Sequence, residues 1–181
     1  HCDKDLSLRS EGHLLCFDEV LLENEDSRNQ KTLAMWSDAP SNRTIAVQET
    51  DRHLTLRGKN FTYNFNKLTG LFAAMQYEDA VLLDKEMEFN IWRAPTDNDR
   101  KLKLDWLAAR YDHCMTNAYR TEYQVTDSGV TLRAKVGIAP ISLQKFLDLD
   151  VCWTVSNSGA VTLALHAERN TVFPELPRFG L

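Results

Sequence analysis

Residues 92–100 hold two carboxylates, Asp97 and Asp99, on either side of Asn98 and between two guanidinium side chains, Arg93 and Arg100. Two chemistries could use such a cluster. Paired carboxylates serve as acid and base in glycoside cleavage, about 5–5.5 Å apart when configuration is retained. Oxygen ligands at alternate positions can also gather a hard cation. Neither chemistry suits these residues. Acid–base work needs the two pKa values split, whereas neighbouring arginines favour the charged form of both carboxyls. A calcium loop of the EF-hand kind needs a glycine and a distal glutamate that are not here. The cluster therefore reads as structural. Asp97, Asn98 or Asp99 can accept hydrogen bonds from the open N–H groups of a helix start, and Arg93 can form a salt bridge. No catalytic residue and no metal ligand is assigned.

The elements that must position this cluster are mostly strands. Phe61, Tyr63 and Phe65 alternate with polar residues, as do Val130, Leu132, Ala134 and Val136. The longest alternation is Leu147, Leu149, Val151, Trp153 and Val155, and Val161, Leu163 and Leu165 repeat it. Each pattern predicts a strand with one buried face. Turn residues separate them at 51–52, 58–60, 66–70, 127–129 and 157–159. Strands at this spacing predict antiparallel meanders packed as a sandwich. One helix is predicted over 101–111, with Leu102, Trp106, Leu107 and Tyr111 near one face. Pro95 stops the preceding strand from extending its ladder.

Other candidate groups carry less. The cysteines (Cys2, Cys16, Cys114, Cys152) lack metal-ligand spacing. They are expected to be free thiols, with Cys152 buried in a strand. The histidines (His1, His13, His53, His113, His166) are scattered. Trp36, Trp92, Trp106 and Trp153 could stack on sugars, but their spacing fits core positions better. Asn42-Arg43-Thr44 and Asn60-Phe61-Thr62 match the glycan acceptor pattern, a triplet common by chance. The 181 residues carry a formal charge of −5, with 43% hydrophobic residues. That balance supports a sizeable core and argues against nucleic-acid binding. No apolar run reaches the roughly 20 residues of a membrane span. The polar start, His1 to Asp5, has neither an initiator Met nor a signal-peptide core. The chain is thus expected to be an excerpt or a processed product.

The string Trp92-Arg93-Ala94-Pro95-Thr96-Asp97-Asn98-Asp99 resembles a signature of the C-terminal sandwich domain of family 2 β-galactosidases. Three further pieces follow that family in order. The Gly12-His13 strand, through Leu22, resembles the close of its immunoglobulin-like domain. Residues 61–71 resemble a strand, an Asn-Lys-x-Thr-Gly turn and the next strand. Leu176-Pro177-Arg178-Phe179-Gly180 resembles its Leu-Pro-Arg-Ile/Phe-Gly segment.

The resemblance implies an all-β fold, an antiparallel β-supersandwich of the galactose-mutarotase kind with one short helix. An orphan strand of an immunoglobulin-like domain would precede it, with residues 1–42 as that end and linker, and 43–181 as the first part of the sandwich. It implies a non-catalytic portion of a retaining enzyme acting on terminal β-D-galactosides in the cytoplasm. Catalysis would belong to a barrel, in a longer parent chain or on a barrel-bearing subunit, since a barrel needs more residues than this chain has. Mg²⁺ and Na⁺ would be held by that barrel and no cofactor by this chain. Arg93, Asp97, Asn98 and Asp99 would border the sugar pocket. Galactoside is the expected substrate, nucleic acid and membrane are not expected partners, and a homo-oligomer is compatible with the pattern. Rival readings are a free-standing carbohydrate-binding module and a structural subunit.

Overall fold

Alternating apolar and polar residues form two antiparallel meanders in the computed structural model, which describes residues 44–181. The chain divides into two units, His1–Asp38 and Ala39–Leu181, and every described residue belongs to the second. The strand expected at 12–22, the boundary at 42/43, Cys2, Cys16 and Trp36 lie outside the described residues.

The first sheet runs β1 (Ala46–Glu49), β2 (His53–Arg57), β3 (Phe61–Asn66), β4 (Leu71–Tyr77) and β5 (Ala80–Val81), neighbours in sequence order. The second runs β6 (Cys114–Thr126), β7 (Gly129–Pro140), β8 (Leu147–Ser156) and β9 (Val161–Arg169) in the same manner. The expected all-β sandwich is what forms. Leu54, Leu56, Tyr63, Phe65 and Phe72 of the first sheet are buried, as are Leu132, Val151, Trp153 and Val155 of the second. Phe72 meets Trp153 edge to face at 5.1 Å between centroids. Tyr63 donates its hydroxyl hydrogen to Gly159 O at 2.8 Å, which satisfies the one polar atom on a buried ring. Burial of this phenol raises its pKa.

The β3–β4 turn fastens the layers. Trp153 Nε1 donates to Gly70 O at 3.0 Å, the Thr121 hydroxyl to Lys67 O at 3.0 Å, and Ala118 N–H to Leu68 O at 2.7 Å. Gly70 has φ +75°, and a Cβ there would lie 2.8 Å from Val136 Cγ2 and 2.9 Å from Ala134 Cβ. Both the backbone and the close approach require glycine.

Three expectations need correction. The helix α1 spans Leu102–Ala108, not 101–111, and it buries Trp106 while Leu102 and Leu107 stay 48% and 44% exposed. Tyr111 is buried beyond its end, after Arg110 takes φ +56° and turns the chain out of the helix. Cys152 is half-buried, not buried, on the row of β8 that alternates with the core. It pairs with Arg133 and Ala164 on the outer face of the second sheet.

Candidate functional site

Residues 82–113 connect the two sheets and carry the Arg/Asp cluster. The connection first follows β4, with Leu82 N–H donating to Met75 O at 2.8 Å and Met87 N–H to Phe72 O at 3.0 Å. Phe89 and Ile91 then sink into the core. Pro95 has no N–H to continue a ladder, and the chain enters a 3-10 turn at Asp97–Asp99 followed by α1.

Arg93 is the centre of the site. Its Nη1 donates to Asp99 Oδ2 at 2.5 Å and its Nη2 to Asp99 Oδ1 at 2.9 Å, a two-pronged charge-assisted pair. Its Nε donates to Pro177 O at 2.9 Å, and its guanidinium lies 4.9 Å from the Trp106 ring centroid. Asp99 is buried. Its Oδ2 also accepts from Thr96 N–H at 2.7 Å and from the Thr96 hydroxyl at 2.9 Å. The Arg93 hydrogen bonds, and then the Thr96 N–H, hold its carboxyl well below the usual carboxylate range, against the opposing effect of burial. The bond to Asp99 in turn raises the Arg93 pKa.

The same group of side chains holds the last residues of the chain. Trp106 Nε1 donates to Glu175 O at 2.9 Å and the Tyr111 hydroxyl to Pro174 O at 2.7 Å. Asn90 and Gly180 exchange backbone hydrogen bonds of 2.8 and 3.1 Å, and Phe89 stacks on Phe179 at 5.7 Å. The two specific strings of the sequence, 92–99 and 176–180, are thus one interlocked structure.

The expected salt bridge from Arg93 exists, but the capping differs from expectation. None of Asp97, Asn98 and Asp99 caps α1, whose N-cap is Lys101. Asp99 instead closes a capping box on Thr96, the N-cap of the 3-10 turn. The Thr96-x-x-Asp99 spacing carried that signal in the sequence. Arg100 is exposed and takes no part. Asp97 and Asn98 are exposed, and their side chains make no hydrogen bond or ion pair among the described residues. Only Arg93 and Asp99 of the four candidates are brought together. The backbone oxygens of residues 174, 175 and 177 were not readable from side-chain types, because an acceptor carbonyl has no sequence signature.

Chemically, Asp99 is an ionised carboxylate that accepts from Arg93 and Thr96, so it has no proton to give. Among the described residues no group of three or more His, Cys, Asp and Glu could hold a metal ion. Trp106 and Trp153 are buried and Trp92 is half-buried, so these indoles form no exposed sugar platform. His53 is half-buried, and His113 and His166 are exposed. No helix among the described residues is long and apolar enough to cross a membrane.

Residues 57–181 match the family model described as the β-galactosidase small chain. A β-galactosidase of Actinobacillus pleuropneumoniae is 34% identical over 169 residues, which is 93% of this chain and 16% of that protein. One of Staphylococcus xylosus is 29% identical over 153 residues, 84% of this chain and 15% of that protein. A β-galactosidase small subunit of Latilactobacillus sakei is 26% identical over 167 residues, 79% of this chain and 51% of the subunit. The chain therefore spans about a sixth of the length of the first two relatives and about half of the third.

Proposed function

The chain belongs to the β-galactosidase small-chain family, and from that premise we propose that it is the non-catalytic sandwich module of a retaining β-galactosidase. In this reading the module associates with a larger catalytic chain or barrel that hydrolyses terminal β-D-galactosides. It borders the sugar pocket with the loop of Arg93, Asp97, Asn98 and Asp99. Arg93 and Asp99 hold the loop in shape, and Asp97 and Asn98 are exposed on it.

One observation carries the reading. The buried carboxylate of the signature segment is ion-paired, doubly capped and held ionised, the opposite of what a general acid requires. A loop held by these bonds that presents exposed polar side chains contributes by positioning, and positioning is worth a large share of an enzymatic barrier. The metal ions and the paired carboxylates of the reaction then belong to the catalytic chain.

Kinetics of the intact enzyme carrying Asp97→Ala and Asn98→Ala test this. A raised KM for a nitrophenyl β-galactoside, with kcat changed less than about tenfold, is the expected result. A loss of about a thousandfold or more in kcat with KM intact would mean that the loop holds a reacting group, and the reading would fail.

A further inference from the structure

Strand β9 is the outer strand of the second sheet, and no strand among the described residues lies on its free side. It pairs with β8 along its whole length without a shift of register. Two hydrogen bonds just outside its ends, Ser156 N–H to Ala160 O at 2.9 Å and Asn170 N–H to Phe146 O at 2.8 Å, set the phase of the ladder. Residues of even number therefore bond to β8, and the N–H and C=O groups of Val161, Leu163, Leu165, Ala167 and Arg169 point to the free side. The side chains of Val161, Leu163 and Leu165 are half-buried and Ala167 is exposed. Their partners on β8, Val155, Trp153, Val151 and Leu149, are all buried. The apolar layer thus runs out to this edge and is left partly open there.

An open edge invites another chain, and the other sheet edges among the described residues carry features that oppose this. β1 is four residues long and ends on Glu49, and β5 has two residues. β6 has a bulge between Ala118 and Arg120 and carries Arg120 and Glu122 beside it. β9 runs for nine residues with no bulge, no proline and no lysine, and Glu168 and Arg169 come only at its end.

We propose that β9 is an interface between two copies of this chain, joined edge to edge as antiparallel strands about a two-fold axis at Leu165. Only an extended backbone satisfies a free row of this kind, and β9 matches itself in length, hydrogen-bond phase and charge. An axis at Leu165 sets each residue with free backbone groups opposite another. Leu165 faces its own copy, Leu163 faces Ala167, and Val161 faces Arg169. On the outer face of the sheet Thr162 meets Glu168 and Ala164 meets His166. The whole strand pairs, no like charges oppose each other, and the large Leu163 lies against the small Ala167. An axis at His166 would set that histidine against itself, and one at Ala164 would carry Glu168 and Arg169 past the end of the partner strand. The pairing is closed, because each copy covers the other's open edge. It goes beyond the function proposed above and does not depend on it.

The test combines analytical ultracentrifugation with hydrogen exchange on the full chain. The original chain should dimerise. In the dimer the amides of Val161, Leu163, Leu165 and Ala167 should be protected, and on dilution to monomer they should exchange fast. The amides of Thr162, Ala164, His166 and Glu168 bond to β8 and should stay protected at both concentrations. Ala167→Pro removes an N–H that faces the free edge and leaves the ladder with β8 intact. By symmetry two hydrogen bonds are lost per dimer, so the dissociation constant should rise about tenfold or more. Circular dichroism of the dilute variant should match the original. Ala167→Lys, which sets a charge against Leu163, should weaken the dimer as well, while Thr131→Lys on β7 should leave it unchanged. A chain that stays monomeric at millimolar concentration would overturn the proposal. So would a dimer that both Ala167 variants leave at its original strength, which would place the interface elsewhere. Protection of Leu163 and Leu165 in the dilute monomer would assign the edge to another segment of this chain, and the proposal would fail.

Discussion

Replacing Trp106 probes the interlock between residues 92–99 and the last residues of the chain. The ring is 3% exposed, lies under Arg93 and donates to Glu175 O at 2.9 Å. Trp106→Phe keeps most of the apolar volume but removes the donor, leaving a part-buried carbonyl without its partner. That omission costs about 1–3 kcal/mol, and the weaker ring also gives Arg93 a poorer face to lie on. Trp106→Ala adds a cavity and should cost about 3–5 kcal/mol. For a chain of this size, about 2–4 °C of Tm is lost per kcal/mol. The Ala variant should therefore approach the limit set by a total stability of about 5–15 kcal/mol. The more telling readout is local. In Trp106→Phe, hydrogen exchange should accelerate at Asn90 and Gly180, whose amides close the bridge between the segments, while β7 and β8 stay protected. Unchanged Tm and unchanged exchange at both amides would show that the indole does not hold the segments together, and the interlock would have to rest on Arg93 alone.

Three further outcomes follow from particular groups. Asp99 has a lowered folded pKa, so its contribution is complete above the unfolded carboxylate value of about 3.9 and is lost only as pH falls through the lower folded value. The stability gap between the original chain and Asp99→Asn should be flat from about pH 8 to 5 and shrink in acid; a gap that grows in acid would contradict the pairing. Tyr111 is pushed up to about 12, chiefly by burial. Its contribution is present below the unfolded phenol value of about 10 and is lost as pH rises through the folded value, so Tyr111→Phe should show a shallower loss of stability in that alkaline window, read by denaturant titration. Gly70→Ala should destabilise by about 1–3 kcal/mol through overpacking against Val136 and Ala134 and an unfavourable φ, and a variant as stable as the original in urea would show that the turn can shift.

Much of the fold was legible because β3, β7, β8 and β9 each keep an unbroken period of two. β6 was not legible, and the reason is physical. Its register shifts between Ala118 and Arg120, so the inward row passes from Cys114, Thr116 and Ala118 to Thr121 and Tyr123. A bulge of this kind reverses the phase of the pattern. The helix was overextended because Leu107 and Tyr111 suit a helical stripe, while the actual turn at Arg110 depends on a backbone angle that no side chain announces. At the site, a salt bridge from Arg93 was legible from opposite charge at short spacing, but the choice of Asp99 over Asp97 as its partner was not. The attachment of Arg93, Trp106 and Tyr111 to carbonyls of residues 174–177 was not, since residues 63 to 84 positions apart meet only in the folded protein.

The central claim is that this chain supports galactoside hydrolysis without performing it. The direct measurement is turnover of a nitrophenyl β-galactoside by the purified chain, by the catalytic chain of the same organism, and by their mixture. The chain alone should show none, and the mixture should exceed the catalytic chain alone, with the increase saturating as the two reach equal amounts. Turnover by the chain alone that Asp97→Asn or Asp99→Asn abolishes, or a mixture no more active than the catalytic chain by itself, would contradict the account.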